Sequence, residues 1–224
     1  MGDMTDTATP METSATATAT SASAGTSQAA LDALLRDILP RQGCWSDEAY
    51  LWLTDHGRRR VEFTDGRIEE LPMPTFTHQA VLAFLHALFR AWLKPRGGLA
   101  MFSGLRMRVR EGKYREPDLL LLRDRSDPRN QDRFWLGADL VAEVVSPDDP
   151  DRDLVEKCLD YAETGIPEYW IVDPRDETIT VLALEGAAYI EHATHARGGT
   201  ATSPSLEGFT ADVSAVFDAP ESGA

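Results

Sequence analysis

Apolar positions change their spacing several times along the chain, and each change marks an element. Leu31, Leu34, Leu35 and Ile38 recur at helical spacing until Pro40, which predicts a short first helix. Ser46 is placed to cap a second helix running through Tyr50, Leu51 and Leu53 and ending near His56-Gly57. Two short runs flank Asp65-Gly66, a pair suited to positive φ at both turn positions, so residues 60–71 read as a tight hairpin. Residues 76–94 carry Val81, Leu82, Leu85, Leu88, Phe89 and Trp92 on one side, a long amphipathic helix closed by Pro95 and Gly97-Gly98. Over 105–110 the period falls to two, and the alternation sets Arg106, Arg108 and Arg110 on one sheet face. Residues 117–122 and 139–145 read as buried strands separated by a looser segment, 151–163 as a helix, and 168–173 as a further strand. Short strands near 178–184 and 187–192 complete the pattern. The order predicts an α/β fold of three layers, one central mixed sheet flanked by helices.

Composition bounds what such a fold does. The 224 residues are enough for one domain. Residues 1–28 hold eight Thr, six Ala and four Ser without a single Leu, Ile, Val or aromatic residue, so they are expected to be a disordered tail. The domain is expected over 29–218, with a flexible terminus at 219–224. No apolar run approaches the ~20 residues of a membrane span, and the tail lacks the pattern of a secretory signal, so a cytoplasmic protein is expected. The net charge of −15 excludes broad attachment to nucleic acid through a basic surface. Segment 103–116 is locally basic, and Arg106, Arg108 and Lys113 are its candidate phosphate contacts; the alternative is pairing with nearby carboxylates. Cys44 and Cys158 lie far apart with no CxxC spacing, which argues against a disulfide framework or a zinc knuckle. No GxSxG, Walker or dinucleotide glycine motif occurs.

Asp118 and Glu143 carry the chemistry, because each sets a carboxylate within or at the mouth of an apolar strand, where an unpaired charge is costly to desolvate. On neighbouring strands the two would converge on one point, and a hard divalent cation, Mg2+ or Mn2+, would neutralise them. The plain alternative is an Asp facing water and a Glu paired with Arg106 or Arg108. On the following helix Asp153, Lys157 and Tyr161 stand at i, i+4 and i+8, a polar stripe that could turn Lys157 toward the carboxylates.

Several runs are more specific than this. Tyr50, Gly57-Arg58-Arg59, Val61-Glu62, Asp65-Gly66, His78-Gln79 and Pro117-Asp118-Leu119 lead into Leu140-Val141-Ala142-Glu143-Val144-Val145-Ser146-Pro147. Asp153, Glu156-Lys157, Tyr161 and the block from Gly165 to Pro174 follow. Over about 46–217 the chain resembles the Uma2 family of endonucleases, which share the PD-(D/E)xK restriction-endonuclease-like fold. The resemblance implies that Asp118 and Glu143 are the motif carboxylates and the ligands of Mg2+ or Mn2+. It also implies DNA as substrate and Lys157 as the source of the catalytic amine. The usual lysine position, two residues after the glutamate, is Val145. Candidate accessory residues are Asp153, His78 at the start of the long helix, and one of Glu62, Glu69 and Glu70, with Glu70 slightly favoured. Since a strand's pleat sends Glu69 and Glu70 to opposite faces, at most one of these two serves. Lys157→Ala is expected to abolish cleavage and spare the fold. A homodimer would suit the cutting of two strands. The rival readings are a non-catalytic scaffold that binds nucleic acid or protein, and a phosphoesterase acting on RNA or small phosphodiesters.

Overall fold

The computed structural model describes residues 39–221. The chain divides into two compact units, 1–41 and 42–224, and the helices and strands of the described residues belong to the second. The helix expected over 31–38, the tail at 1–28 and residues 222–224 lie outside the described residues. No helix among the described residues is long and apolar enough to cross a membrane.

Local signals act where the sequence places them. The Ser46 hydroxyl accepts the Ala49 amide at 3.2 Å and opens α1 (Asp47–His56). Strands β1 (Val61–Thr64) and β2 (Arg67–Glu70) close through Asp65 and Gly66, whose φ angles are 47° and 81°. The Gly66 carbonyl accepts the amides of Gly43 and Trp45, and a Cβ at Gly66 would stand 2.7 Å from the Gly43 carbonyl oxygen. Gly66→Ala should therefore cost at least the ~1–2 kcal/mol of a left-handed alanine, read as a lower urea midpoint; an unchanged midpoint would mean the turn relaxes freely.

Thr75 caps the long helix α2 (Phe76–Leu93) by accepting the His78 amide at 3.1 Å. A short 3-10 turn, Lys94–Arg96, leads to β3 (Leu99–Phe102). Next come β4 (Met107–Arg110), β5 (Lys113–Arg115), β6 (Leu119–Leu122) and β7 (Leu140–Val144). A π-helical turn, Arg152–Glu156, runs into α3 (Lys157–Thr164). Strands β8 (Glu168–Asp173), β9 (Thr178–Glu185), β10 (Ala188–Ala196), β11 (Thr200–Thr202) and β12 (Thr210–Asp212) precede α4 (Val213–Asp218).

The central sheet has six strands in the order β10-β9-β8-β7-β6-β3. Only β7 and β8 run parallel within it, so their connection must cross over, and α3 makes that crossover. One face, with Leu119, Leu121, Ala142, Val144 and Trp170, packs on Val81, Leu85 and Phe89 of α2 and Val216 of α4. The other, with Leu120, Val141, Val145 and Tyr169, packs on Tyr161 of α3. Burial of both faces explains why β6 reads as an unbroken apolar run and β7 as one broken only by Glu143, rather than as alternating strands. The result is the three-layer α/β restriction-endonuclease-like fold, a mixed sheet flanked by helices.

One expectation is corrected in detail. The hairpin and the basic strand do not join the central sheet; they form a second, antiparallel sheet, β2-β1-β5-β4, whose own core gathers Tyr50 of α1 with Val61, Phe63 and Tyr114. Strand β4 begins only at Met107, after Arg106, and its register with β5 shifts between Arg108 and Arg110, yet the alternation persists, with Met107 and Val109 buried and Arg108 and Arg110 half-buried.

Candidate active site

The register of the central sheet builds the site. Leu119 of β6 faces Ala142 of β7, and one step further the pleat sets Asp118 and Glu143 on the same face. Direct bonds tie them: the Asp118 amide donates to Glu143 Oε2 at 3.2 Å, and the Val144 amide donates to Asp118 Oδ2 at 3.0 Å. Helix α3 then delivers the cation. Lys157 Nζ lies 2.9 Å from Glu143 Oε2 and 2.9 Å from Asp153 Oδ1, while the Tyr161 hydroxyl donates to Glu143 Oε1. The polar stripe of the sequence thus turns inward. The wide turn at 152–156, closed by the Lys157 amide on the Arg152 carbonyl, is the kind of helix irregularity often found at functional sites.

His78 reaches the same point from α2, its Nε2 2.9 Å from Asp118 Oδ2. Its Nδ1 is buried and has no hydrogen-bond partner among the described residues. Asp153 also accepts the Ser146 amide at 3.3 Å. Glu62 is fully buried, with Oε1 on the Glu116 amide at 2.9 Å and Oε2 against Arg115 and Arg152. Of the hairpin glutamates it is the one buried in full, held against Arg152 of the cavity wall, whereas Glu70 was slightly favoured from the sequence. Glu70 is exposed and paired with Arg59 at 2.8 Å, and Glu69 holds Arg152 at 2.7 Å. The preference for Glu70 fails because the hairpin turns β1, not the end of β2, toward the site.

Sequence reasoning passed over Glu116, Arg152 and Arg60. Glu116 is buried and paired with Arg60 at 2.9 Å. Its spacing of two from Asp118 was the available signal, since alternate strand residues share a face. A cavity of about 70 Å3 is lined by Arg60, His78, Glu116, Asp118, Arg152, Asp153 and Lys157. A larger cleft of about 750 Å3 lies elsewhere, between the start of α1 and β4, and none of Asp118, Glu143 or Lys157 lines it.

Electrostatics follow from crowding. Burial, then the neighbouring Asp118 and Asp153, holds Glu143 protonated well above the usual carboxylate range despite Lys157 beside it. For Asp118 burial acts in the same direction but is overcome by the His78 bond and the Lys157 charge, so its pKa is lowered. Burial would lower Lys157, but Glu143, Asp153, Glu62 and Asp118 outweigh it and raise its pKa.

The candidate phosphate contacts separate. Arg106 is bonded to Asp55 at 2.7 Å and to Thr54, and Lys113 to Asp160 at 2.6 Å. Arg108 lies in the larger cleft over the Phe134 ring at 5.5 Å. Arg106 and Lys113 thus follow the carboxylate-pairing alternative.

A mixed sheet between helix layers, with two carboxylates side by side on neighbouring strands, is the architecture of the restriction-endonuclease-like nucleases. The chain belongs to the Uma2 family: residues 47–214 match its model, described as "Putative restriction endonuclease". No match is found among curated proteins. Among solved structures the chain is similar to "a putative nuclease belonging to DUF820 from Anabaena variabilis ATCC 29413". That likeness, at 19% identity, spans 76% of this chain and 98% of the other with a TM-score of 0.62, and it shows the shared fold.

Proposed function

We propose that the protein is a metal-dependent endonuclease that hydrolyses phosphodiester bonds of DNA at Asp118, Glu143 and Lys157. The observation that carries this reading is that Asp118 and the Lys157 amine line one small cavity, with the amine 2.9 Å from the fully buried Glu143 behind it. Asp118 Oδ2 is taken by His78 and Val144, whereas Oδ1 has no bonded partner among the described residues. That oxygen is a hard donor, and Glu143 behind it, whose oxygens hold the Tyr161 hydroxyl, the Asp118 amide and the Lys157 amine, is the second carboxylate that would turn to a dication. Among the described residues no group of three or more His, Cys, Asp or Glu is arranged as a metal cage. One or two carboxylates suit Mg2+ nonetheless, because that ion keeps several waters and takes substrate phosphate oxygens.

Asp118 and Glu143 would hold the ion, which when bound supplies Lewis-acid polarisation and water activation near neutral pH. Lys157, bonded to Glu143 and Asp153, places positive charge where negative charge grows on the phosphorus centre. His78 holds Asp118 so that Oδ1 stays aimed at the cavity, and Arg60 and Arg152 add positive charge at its wall. Val145 is buried in the core on the α3 side of the sheet, so a lysine amine there would have no wet surroundings, whereas Lys157 reaches Glu143 from the helix.

Titration calorimetry with Mn2+ tests the reading together with cleavage of DNA offered both as plasmid and as single-stranded circles, cutting of either one counting. The wild-type protein should bind the ion and cut, and Asp118→Asn should lose both, with cleavage reduced at least ~100-fold. No binding at millimolar Mn2+ would favour the non-catalytic scaffold.

A further inference from the structure

The surface beside the candidate site is apolar rather than basic. Phe76, Gln79, Ala83, His86 and Arg90 follow one another at steps of three and four along α2, so they form one stripe. Phe76 is 72% exposed, and Met73, at the cavity lip, is 88% exposed. Across from the stripe lies Phe102 of the edge strand β3, 53% exposed, with its ring edge-on to His86 at 4.8 Å. Between them runs a groove of about 130 Å3 lined by Gln79, Leu82, Ala83, His86 and Phe102.

Chain neighbours of two groove residues bond to Asp118. His78, one residue before Gln79, is bonded to Asp118, and the amide of Ser103, the residue after Phe102, donates to the Asp118 carbonyl at 2.8 Å. At its far end Arg90 and Lys94, one turn apart, are exposed and form no ion pair among the described residues. From His78 to Arg90 the helix rises about 18 Å, the length of a few stacked bases. By contrast, Arg106, Arg110, Lys113 and Arg115 are occupied by Asp55, Asp65, Asp160 and Glu62. A duplex, whose binding rests on many phosphate contacts, finds little footing on a chain of charge −15. An unpaired strand gains instead from bases stacked on aromatic faces.

We propose that the groove between α2 and β3 takes an unpaired nucleic-acid strand, with bases stacked on Phe76 and Phe102, phosphates on Arg90 and Lys94, and the scissile linkage led to Asp118. The proposal rests on the nuclease reading for its final step and on the groove alone for binding.

The test is fluorescence anisotropy with a labelled 20-nucleotide oligo(dT), the matching oligo(rU), and a blunt DNA duplex of equal length. Ca2+ replaces Mg2+ so that binding is read apart from cleavage. At least one single strand should bind tenfold or more tightly than the duplex, the better of the two showing whether the sugar matters. Phe76→Ala and Phe102→Ala, both at exposed positions, should each weaken that binding about tenfold, and Arg90→Gln with Lys94→Gln should flatten its salt dependence. Equal binding of duplex and single strands, or unchanged binding by the phenylalanine variants, overturns the proposal. A parallel Mn2+ cleavage assay keeps the two readings apart. Cutting of duplex and single strand alike sinks the groove and leaves the nuclease standing, whereas tight single-strand binding without cutting sinks the nuclease and leaves the groove.

Discussion

Lys157→Met is expected to unfold at a temperature lower by roughly 6–20 °C at pH 7 and to cut DNA at least ~100-fold more slowly. The stability loss arises because Lys157 lies within bonding distance of both Glu143 and Asp153, which are almost wholly buried. Breaking a buried pair by removing one partner costs about 3–5 kcal/mol, since the remaining charge stays without compensation. The expectation that Lys157→Ala spares the fold is corrected for this reason. Acid restores part of the loss. Glu143 already holds its proton above the usual range, and without the lysine its folded pKa rises further, so the folded state binds more protons than the unfolded one over that interval. Stability then falls as pH rises, and the deficit at pH 5 should be smaller than at pH 8. Calorimetric melting at the two pH values and a single-turnover cleavage assay check the prediction. A variant with parental melting and turnover would remove Lys157 from both roles.

Glu62→Gln is expected to cost about 3–5 kcal/mol, read as a lower urea midpoint, because it leaves Arg115 and Arg152 facing a neutral buried amide. Glu62 connects β1 of the second sheet to the turn that precedes α3, so its loss should also loosen Arg152 at the cavity wall. Burial would raise its pKa, but Lys157, Arg115 and Arg152 together lower it below the ordinary 4.5. A carboxylate with a lowered folded pKa contributes stability above its unfolded value and loses it as pH falls toward the folded one. The wild-type protein should therefore lose stability steeply below about pH 4.5, and the variant less so. Parallel acid limbs in the two proteins would show that Glu62 is replaceable.

Legibility differed from residue to residue. Asp118 and Glu143 stood out because a carboxylate in a run of apolar strand residues is costly unless something compensates it. The Asp153, Lys157 and Tyr161 stripe was visible as helical spacing, but the same spacing fits a solvated surface pair, and only the packing of α3 on the sheet turns it inward. His78 is similar: its two readings, a helix-start residue and a site contact, separate only once α2 is seen to bring its first turn against Asp118. Glu62 and Glu70 carry the same chemistry on one short hairpin, so no local pattern ranks them. Their burial depends on which strand pairs with β5, and that partner is far away in the chain. The arginines of 106–115 mislead for a like reason. Alternation is a local property, whereas the carboxylates that occupy them, Asp55 on α1 and Asp160 on α3, come from distant segments.

Helix caps, the Asp65-Gly66 turn and the buried strands were readable from the chain because each depends on interactions within a few residues. The pairing of β7 beside β6, the separation into two sheets, the choice of Glu62 and the inward turn of Lys157 depend on long-range contacts whose partners no local spacing names. Charges in this protein take their meaning from burial, and burial is a property of the folded whole.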